Sequence, residues 1–425
     1  MNNRSYLLLD GAMGTMLQAA GLPAGSLPEV WNITQPDKVT DIQRQYVQAG
    51  SGVIYANTFG ANRLKTAGCG YTVAELVKAG VAAAKKAAEG TSTRVALDIG
   101  PLGKLMAPLG TLSFEEAYDV FREMLVAGEE AGADLVIFET MSDLLEVKAG
   151  VLAAKENTSL PVWTTMTLEK SGRTFVGVSV PAMALTLSSL GVEAIGFNCS
   201  LGPAQLLPMV RELSGWTDAA LILKPNAGLP DTGTGTYTIT PADFVAQLRD
   251  AAGMGVGIFG GCCGTGPAYI AALHEAFADQ ETCAKAACIH TGVCSSSCAV
   301  EMDEIESYGM TISPENPEVE EALQEADFDT LGDLAMEDLD EDCEVIQVFL
   351  PEAYEALLPK AVQAIQSVVN RPLMLRAHSA QALEAALRVY NGRPVVAVST
   401  PEQEDVCRRY GAQAARVDGE QVELI

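Results

Sequence analysis

The sequence predicts an α/β protein: a (β/α)8 TIM barrel, then an acidic linker, then a small α/β C-terminal domain. Three observations carry that expectation. Up to about residue 280, short β-type apolar runs alternate eight times with longer stretches of helical periodicity, the pattern of parallel strands joined by helices. Residues able to do chemistry fall at or just beyond the carboxyl ends of those runs, which is the active face of a barrel. Charge then changes abruptly, because residues 299 to 344 hold 18 acids and no Lys or Arg before strand and helix alternate again from Val345.

The eight strand candidates are Tyr6 to Asp10, Gly52 to Asn57, Arg94 to Ile99, Leu135 to Glu139, Val162 to Thr167, Ala194 to Asn198, Leu221 to Pro225 and Gly255 to Phe259. Each precedes a helical stretch, such as Phe114 to Glu130 after the third and Asp143 to Glu156 after the fourth. Eight such units in about 280 residues match the length of a barrel. The boundaries expected are 1–280 for the barrel, 281–344 for a cysteine-containing and acidic linker, and 345–425 for the small domain. Within the linker, Val319, Ala322, Leu323 and Ala326 recur at helical spacing, so a solvated helix is expected there. Cys283, Cys288, Cys294 and Cys298 lack the short paired knuckle of a zinc ribbon, which leaves free thiols and a second metal site both open.

The formal charge of −28 disfavours nucleic acid and anionic membrane surfaces as partners. No apolar run approaches membrane-spanning length, and the four apolar residues Tyr6 to Leu9 after Met1 to Arg4 are too few for a signal-peptide core. Ten cysteines without a secretory signal suit a reducing compartment, so a cytoplasmic location is expected. The three histidines, His274, His290 and His378, follow no barrel strand, and nothing suggests a Ser/His/Asp triad.

The most informative residues are Cys262 and Cys263 in Gly260-Gly261-Cys262-Cys263-Gly264-Thr265, with Cys199 in Asn198-Cys199-Ser200. Loops above one barrel mouth can bring them together, and three thiolates leave a fourth zinc position for water or substrate, as in catalytic sites. Packing thiols or an adjacent-residue disulfide would use the same residues. The flanking glycines allow the bent backbone that presents both vicinal sulfurs to one side.

Five motifs extend this reading: Leu9-Asp10-Gly11-Ala12-Met13-Gly14-Thr15, Ala56-Asn57-Thr58-Phe59-Gly60-Ala61, Asn198-Cys199-Ser200-Leu201-Gly202-Pro203, Pro225-Asn226-Ala227-Gly228-Leu229-Pro230 and the Cys262-Cys263 segment. In this order they resemble the homocysteine-binding domain of cobalamin-dependent methionine synthase, over residues 1 to about 280. The resemblance implies a zinc-dependent homocysteine S-methyltransferase with Cys199, Cys262 and Cys263 as both zinc ligands and catalytic residues. A thiol of pKa ~8.5 is mostly protonated at neutral pH, and a zinc-bound thiol is not, so zinc would ready homocysteine's sulfur for attack on a methyl group. Asp10 and Glu139 match the family's ammonium-binding positions, although either alone is also an ordinary loop-capping acid. The substrate carboxylate is expected on the backbone at Gly11 and Ala12 and on Thr58. Asn226 is expected either to fill the open zinc position or to form a turn.

The sequence has no Asp-x-His-x-x-Gly cobalamin motif, so a methyl donor must come from elsewhere. A separate corrinoid protein carrying methylcobalamin is the first expectation, and a small donor such as S-methylmethionine or betaine is the second. A noncatalytic zinc-binding subunit or thiol sensor is a third reading of a different class. Residues 370–394 are similar to part of the same enzyme's folate-binding barrel. Arg376 stands where that family has an aspartate, which argues against pterin binding and for a reduced remnant serving docking or stability.

Overall fold

The computed structural model describes the chain except for residues 1–4, 231–232, 234–236, 286, 342 and 419–420 and the side chain of residue 340; the reading of Met1 to Arg4 lies outside the described residues. The chain falls into two compact units. The first runs through Leu105, Glu115–Val176 and Val192–Ala287, and the second takes Met106–Phe114, Gly177–Gly191 and Cys288–Ile425.

The first unit holds eight parallel strands: β1 (Leu7–Leu8), β2 (Val53–Tyr55), β3 (Arg94–Ile99), β4 (Leu135–Met141), β5 (Val162–Met166), β6 (Ala194–Asn198), β7 (Ala220–Lys224) and β8 (Val256–Phe259). They form one sheet in the order β1-β8-β7-β6-β5-β4-β3-β2, and the Gly52 amide donates to the Leu8 carbonyl at 2.8 Å, linking the two ends of the series. Strands buried on both faces read as almost continuous apolar runs, which is why these segments stood out. Leu9, Val53, Tyr55, Ala96, Leu135, Ile137, Trp163, Ala194, Ile222 and Ile258 fill the interior. Because strand side chains alternate with a period of two, the next inward residue on four strands is polar: Asp98, Glu139, Thr165 and Lys224. All four are buried, forming a polar layer toward the carboxyl mouth.

The helix Leu144–Asn157 shows how local chemistry fixes an element. Asp143 caps it by accepting the Leu145 amide at 2.9 Å, and one turn on, the buried Glu146 carboxylate accepts the Leu102 amide at 2.6 Å. Burial pushes the Glu146 carboxyl up to about 7. Its folded pKa exceeds the unfolded value, so the stability it contributes is present at low pH and is lost as pH rises from about 4.5 through 7. Glu146→Gln keeps the acceptor and removes the charge. Its stability relative to the native protein should therefore rise by up to about 3 kcal/mol between pH 5 and pH 8.5 in urea unfolding; a difference that does not change with pH would refute this assignment.

In the second unit β9 (Gly292–Cys294) and β10 (Ala299–Glu301) form an antiparallel hairpin. A six-stranded sheet orders β11 (Tyr308–Gly309), β12 (Val345–Phe349), β13 (Leu373–Arg376), β14 (Val395–Ala397), β15 (Gln413–Asp418) and β16 (Gln421–Leu424), the last pair antiparallel. The stretch expected as a linker is folded instead. From Cys288 onward it belongs to this unit, and the helices Pro317–Glu325 and Phe328–Asp340 bury Val319, Ala322, Leu323, Leu331, Leu334 and Ala335 beneath their acidic faces. The helix Val180–Ser189, which follows β5 in sequence, also belongs here: it is apolar on nearly all sides, and its Thr186 hydroxyl lies 3.5 Å from Cys294 Sγ. Arg376, at the end of β13, donates to Gln347 at 3.2 Å and lies 4.4 Å from the Phe349 ring.

Candidate metal centre and substrate pocket

Three barrel loops build the thiol cluster by hydrogen-bonding to one another. Directly after β6 the chain enters the left-handed region at Cys199 and Ser200, with φ of 62° and 56°. Two consecutive non-glycine residues there mark a locally strained turn. That turn is held by the Cys199 amide donating to the Lys224 carbonyl at 3.2 Å and by the Asn226 amide donating to Leu201 at 3.0 Å. After β8, the Cys262 amide donates to the Pro225 carbonyl at 2.8 Å, and the Gly261 amide to the Asp10 carbonyl at 3.1 Å. Gly264 completes this turn with a φ of 81°, where a Cβ would also lie 2.4 Å from the Tyr237 ring.

The outcome is convergence. The Cys199 and Cys263 sulfurs are 3.9 Å apart, and all three sulfurs lie within 4.8 Å of one another. A zinc tetrahedron with bonds of ~2.3 Å has ligand-to-ligand edges of roughly 3.8 Å. The donor set and its spacing therefore fit zinc. Among the described residues no other group of three metal-ligating side chains comes together. Cys283 receives the Tyr6 hydroxyl, Cys288 faces the His290 carbonyl, and Cys294 is buried against Ala182 and Thr186, so those thiols face separate partners.

Asn198 orients the cluster, and sequence reasoning had passed it over. Its Oδ1 accepts the Thr140 amide and the Thr165 hydroxyl, both at 2.8 Å, while its Nδ2 reaches Thr140 Oγ1 at 2.8 Å and points at Cys262 Sγ at 3.9 Å. Tyr237 was also missed; the thiols of Cys263, Cys199 and Cys262 act on its phenol, which burial and Cys263 push up to about 12. Asn226, expected either in the open zinc position or in a turn, accepts the Cys263 amide on its Oδ1 at 3.0 Å and braces the vicinal pair.

Below the sulfurs, the structure brings Asp10 and Glu139 together around a cation that sequence reasoning did not assign. The Lys224 ammonium lies 3.3 Å from Asp10 Oδ1 and 3.3 Å from Glu139 Oε2, and 3.8 Å from the Tyr55 ring centre. Burial works against the charge on Lys224, and Glu139, Tyr55 and Asp10 outweigh it, holding its pKa above the ordinary lysine value. Asp98 shares this layer with no hydrogen-bond partner for its Oδ1 among the described residues, and burial and the neighbouring Glu139 raise its carboxyl well above the usual range. Burial raises the carboxyls of Asp10 and Glu139 as well, while the Lys224 ammonium between them pulls both back down.

The carboxylate-binding assignments fare differently. The Thr58 hydroxyl donates to the Asp98 carbonyl at 2.8 Å and its amide to Ala56 at 2.8 Å, while the Ala12 amide donates to Thr265 at 2.8 Å. These donors hold strand ends together in this structure. The Gly11 amide has no partner among the described residues.

Fold and site together define a barrel protein of the enzyme type, whose mouth gathers three cysteine sulfurs beside a buried layer of charged residues. Residues 7–277 match the family described as homocysteine S-methyltransferase, and the chain belongs to that family. It is 33% identical over 292 residues to methionine synthase of Mycobacterium tuberculosis, covering 64% of this chain and 24% of that one, and 33% identical over 292 residues to methionine synthase of Mycobacterium leprae. The chain thus spans about a quarter of the length of these relatives. Among solved structures, the homocysteine methyltransferase MmuM of Escherichia coli in its metallated form superposes with a TM-score of 0.54 at 27% identity, covering 64% of this chain and 96% of that one. The oxidised form gives a TM-score of 0.56 at 25% identity.

Proposed function

We propose that this chain is a zinc-dependent homocysteine S-methyltransferase that forms methionine in the cytoplasm. The observation carrying this reading is the convergence of Cys199, Cys262 and Cys263 above a buried layer bearing Asp10 and Glu139. Zinc held by the three cysteines would supply a Lewis acid that keeps a fourth, substrate sulfur deprotonated and nucleophilic at neutral pH. The protein's own residues do the rest. Asn198 and Asn226 fix the loops that carry the sulfurs, and the acidic layer receives the substrate's ammonium, so that only the side-chain thiol faces the mouth.

The methyl group comes from methylcobalamin on a separate corrinoid protein in this reading, which the motifs of the cobalamin-dependent type and the methionine synthase relatives support. The test is methionine formation, followed by mass spectrometry, from homocysteine and zinc-loaded full-length protein with methylcobalamin, S-methylmethionine or betaine. Methionine is expected with methylcobalamin and should disappear when zinc is chelated. Methionine from a small sulfonium or betaine without a second protein would replace the corrinoid donor. A homocysteine-dependent change in zinc X-ray absorption with no methyl transfer from any donor would instead mark a noncatalytic zinc-binding subunit.

A further inference from the structure

We infer that Asn198 and Tyr237 are positioning residues that hydrogen-bond the sulfurs of Cys262 and Cys263, lowering their nucleophilicity so that the methyl group passes to the substrate's sulfur and not to the protein's own. The inference rests on the zinc-thiolate reading above and adds to it the device that protects the cluster from the reagent it handles.

The need follows from the chemistry. A methyl electrophile at the mouth meets the three cysteine sulfurs as well as homocysteine's. A lone pair on any of them can form the S–C bond as the donor's bond to that carbon breaks and its electron pair leaves with the donor. On homocysteine the product is methionine. On a cysteine it is S-methylcysteine, a neutral thioether in place of an anionic zinc ligand, so one misplaced transfer would dismantle the site. Burial does not make the distinction, because Cys199, Cys262 and Cys263 are all only partly buried. Hydrogen bonding can, since a thiolate whose charge is stabilised by a donor is a weaker nucleophile.

The structure fixes those donors. The Thr140 amide can only donate, so the Asn198 atom that receives it at 2.8 Å is the oxygen, and the atom 3.9 Å from Cys262 Sγ is the NH2. One of its hydrogens goes to Thr140 Oγ1 at 2.8 Å, which leaves the second for the sulfur. Thr140 reaches both ends of this side-chain amide from a φ of 61°, where the register of β4 with β5 is irregular. A β-branched residue in the left-handed region is strained, and bulges beside active sites commonly re-aim a side chain. Here the strained backbone aims one N–H at one sulfur. Across the cluster, the Tyr237 ring lies against Gly264 and its hydroxyl donates to Cys263 Sγ, while the Ser200 amide serves Cys199. Each sulfur therefore has a donor of its own, and two of the three donors are side chains that can be removed one at a time.

The experiment exposes zinc-loaded full-length protein to methyl iodide, with and without homocysteine, and follows S-methylation of each cysteine by peptide mass spectrometry with zinc release measured alongside. Cys283, exposed and apart from the cluster, calibrates the reagent. Tyr237→Phe should speed methylation of Cys263 about three- to tenfold, the restraint that one hydrogen bond to a charged sulfur imposes, with Cys199 within about twofold of native. Asn198→Asp keeps the oxygen for Thr140 and Thr165 and removes the donor, so it should do the same to Cys262. Zinc release should follow methylation in both variants. With homocysteine present, native protein should form methionine and keep its three cysteines unmethylated. A general loosening of the site would instead raise all three cysteines together. That pattern, or a native rate at Cys263 in Tyr237→Phe, overturns the inference. Should Asn198→Asp not fold, Tyr237→Phe, which removes a single oxygen, decides alone. Failure of native, zinc-loaded protein to bind homocysteine would overturn the functional reading itself, and the cysteine pattern read without homocysteine is independent of that result.

Discussion

Replacing Cys263 by alanine is expected to remove bound zinc and methyl transfer together, with a fall in rate of three orders of magnitude or more. Two separate losses produce that number. Without the metal, only a few per cent of a thiol with pKa ~8.5 is ionised at pH 7. The substrate also loses its anchored position, an advantage that reaches effective molarities of 10⁵ M or more in well-oriented reactions, by order of magnitude. The fold should survive, because the loop is held by main-chain groups that alanine retains: the Cys263 amide to Asn226 Oδ1, and its carbonyl to the Ala227 amide at 3.0 Å. The control is Cys294→Ala, a buried thiol against Thr186 in the second unit, which should lower stability and leave zinc content untouched. Zinc measured per chain, circular dichroism and methionine yield separate the outcomes. A folded Cys263→Ala protein with one tightly held zinc and native turnover would remove the metal centre from the mechanism.

The barrel was legible because a parallel strand buried on both faces leaves a continuous apolar run, and the thiol motifs were legible because residue type nearly dictates their chemistry. Lys224 was not, although its signal was present. It follows Ile222 by two in a strand whose Ile222 points into the barrel, so its phase places a charge inside, where an unpaired lysine is untenable. Reading Leu221 to Pro225 as an apolar run with a lysine near its end hid that phase. Thr58 shows a different limit: sequence names a hydroxyl but not its partner, and in the structure it donates to the Asp98 carbonyl one strand away. The acidic stretch failed because 18 carboxylates dominate its composition while the narrow stripe from Val319 to Ala335 decides its fate. A two-residue strand such as Tyr308–Gly309 has too little periodicity to be seen at all.

The largest effect on folding is expected from Gly196→Ala, a change of one methyl group. Gly196 pairs with Ile222 across β6 and β7, and a Cβ there would lie 1.8 Å from the Ile222 carbonyl oxygen and 2.6 Å from its carbon. No rotamer relieves this contact, because both sides are backbone; the strands themselves must separate. Overpacking usually costs 1–3 kcal/mol where side chains can yield. Here they cannot, so a loss above about 4 kcal/mol is expected, which in a domain of this size lowers Tm by about 10 °C or more. Gly253→Ala, with no atom within 4 Å of its added Cβ at a helix end, should be neutral or slightly stabilising and controls for the methyl group itself. The consequence reaches the metal. Asn198 pairs with Lys224 two residues farther along the same two strands, and the Cys199 amide hangs on the Lys224 carbonyl, so prying β6 from β7 displaces a sulfur and the buried ammonium at once. Any Gly196→Ala protein that folds should hold zinc more weakly than native. A variant with Tm within 2 °C of native and unchanged zinc affinity would mean that the strand spacing, on which both the thiol cluster and the charged layer depend here, does not position them.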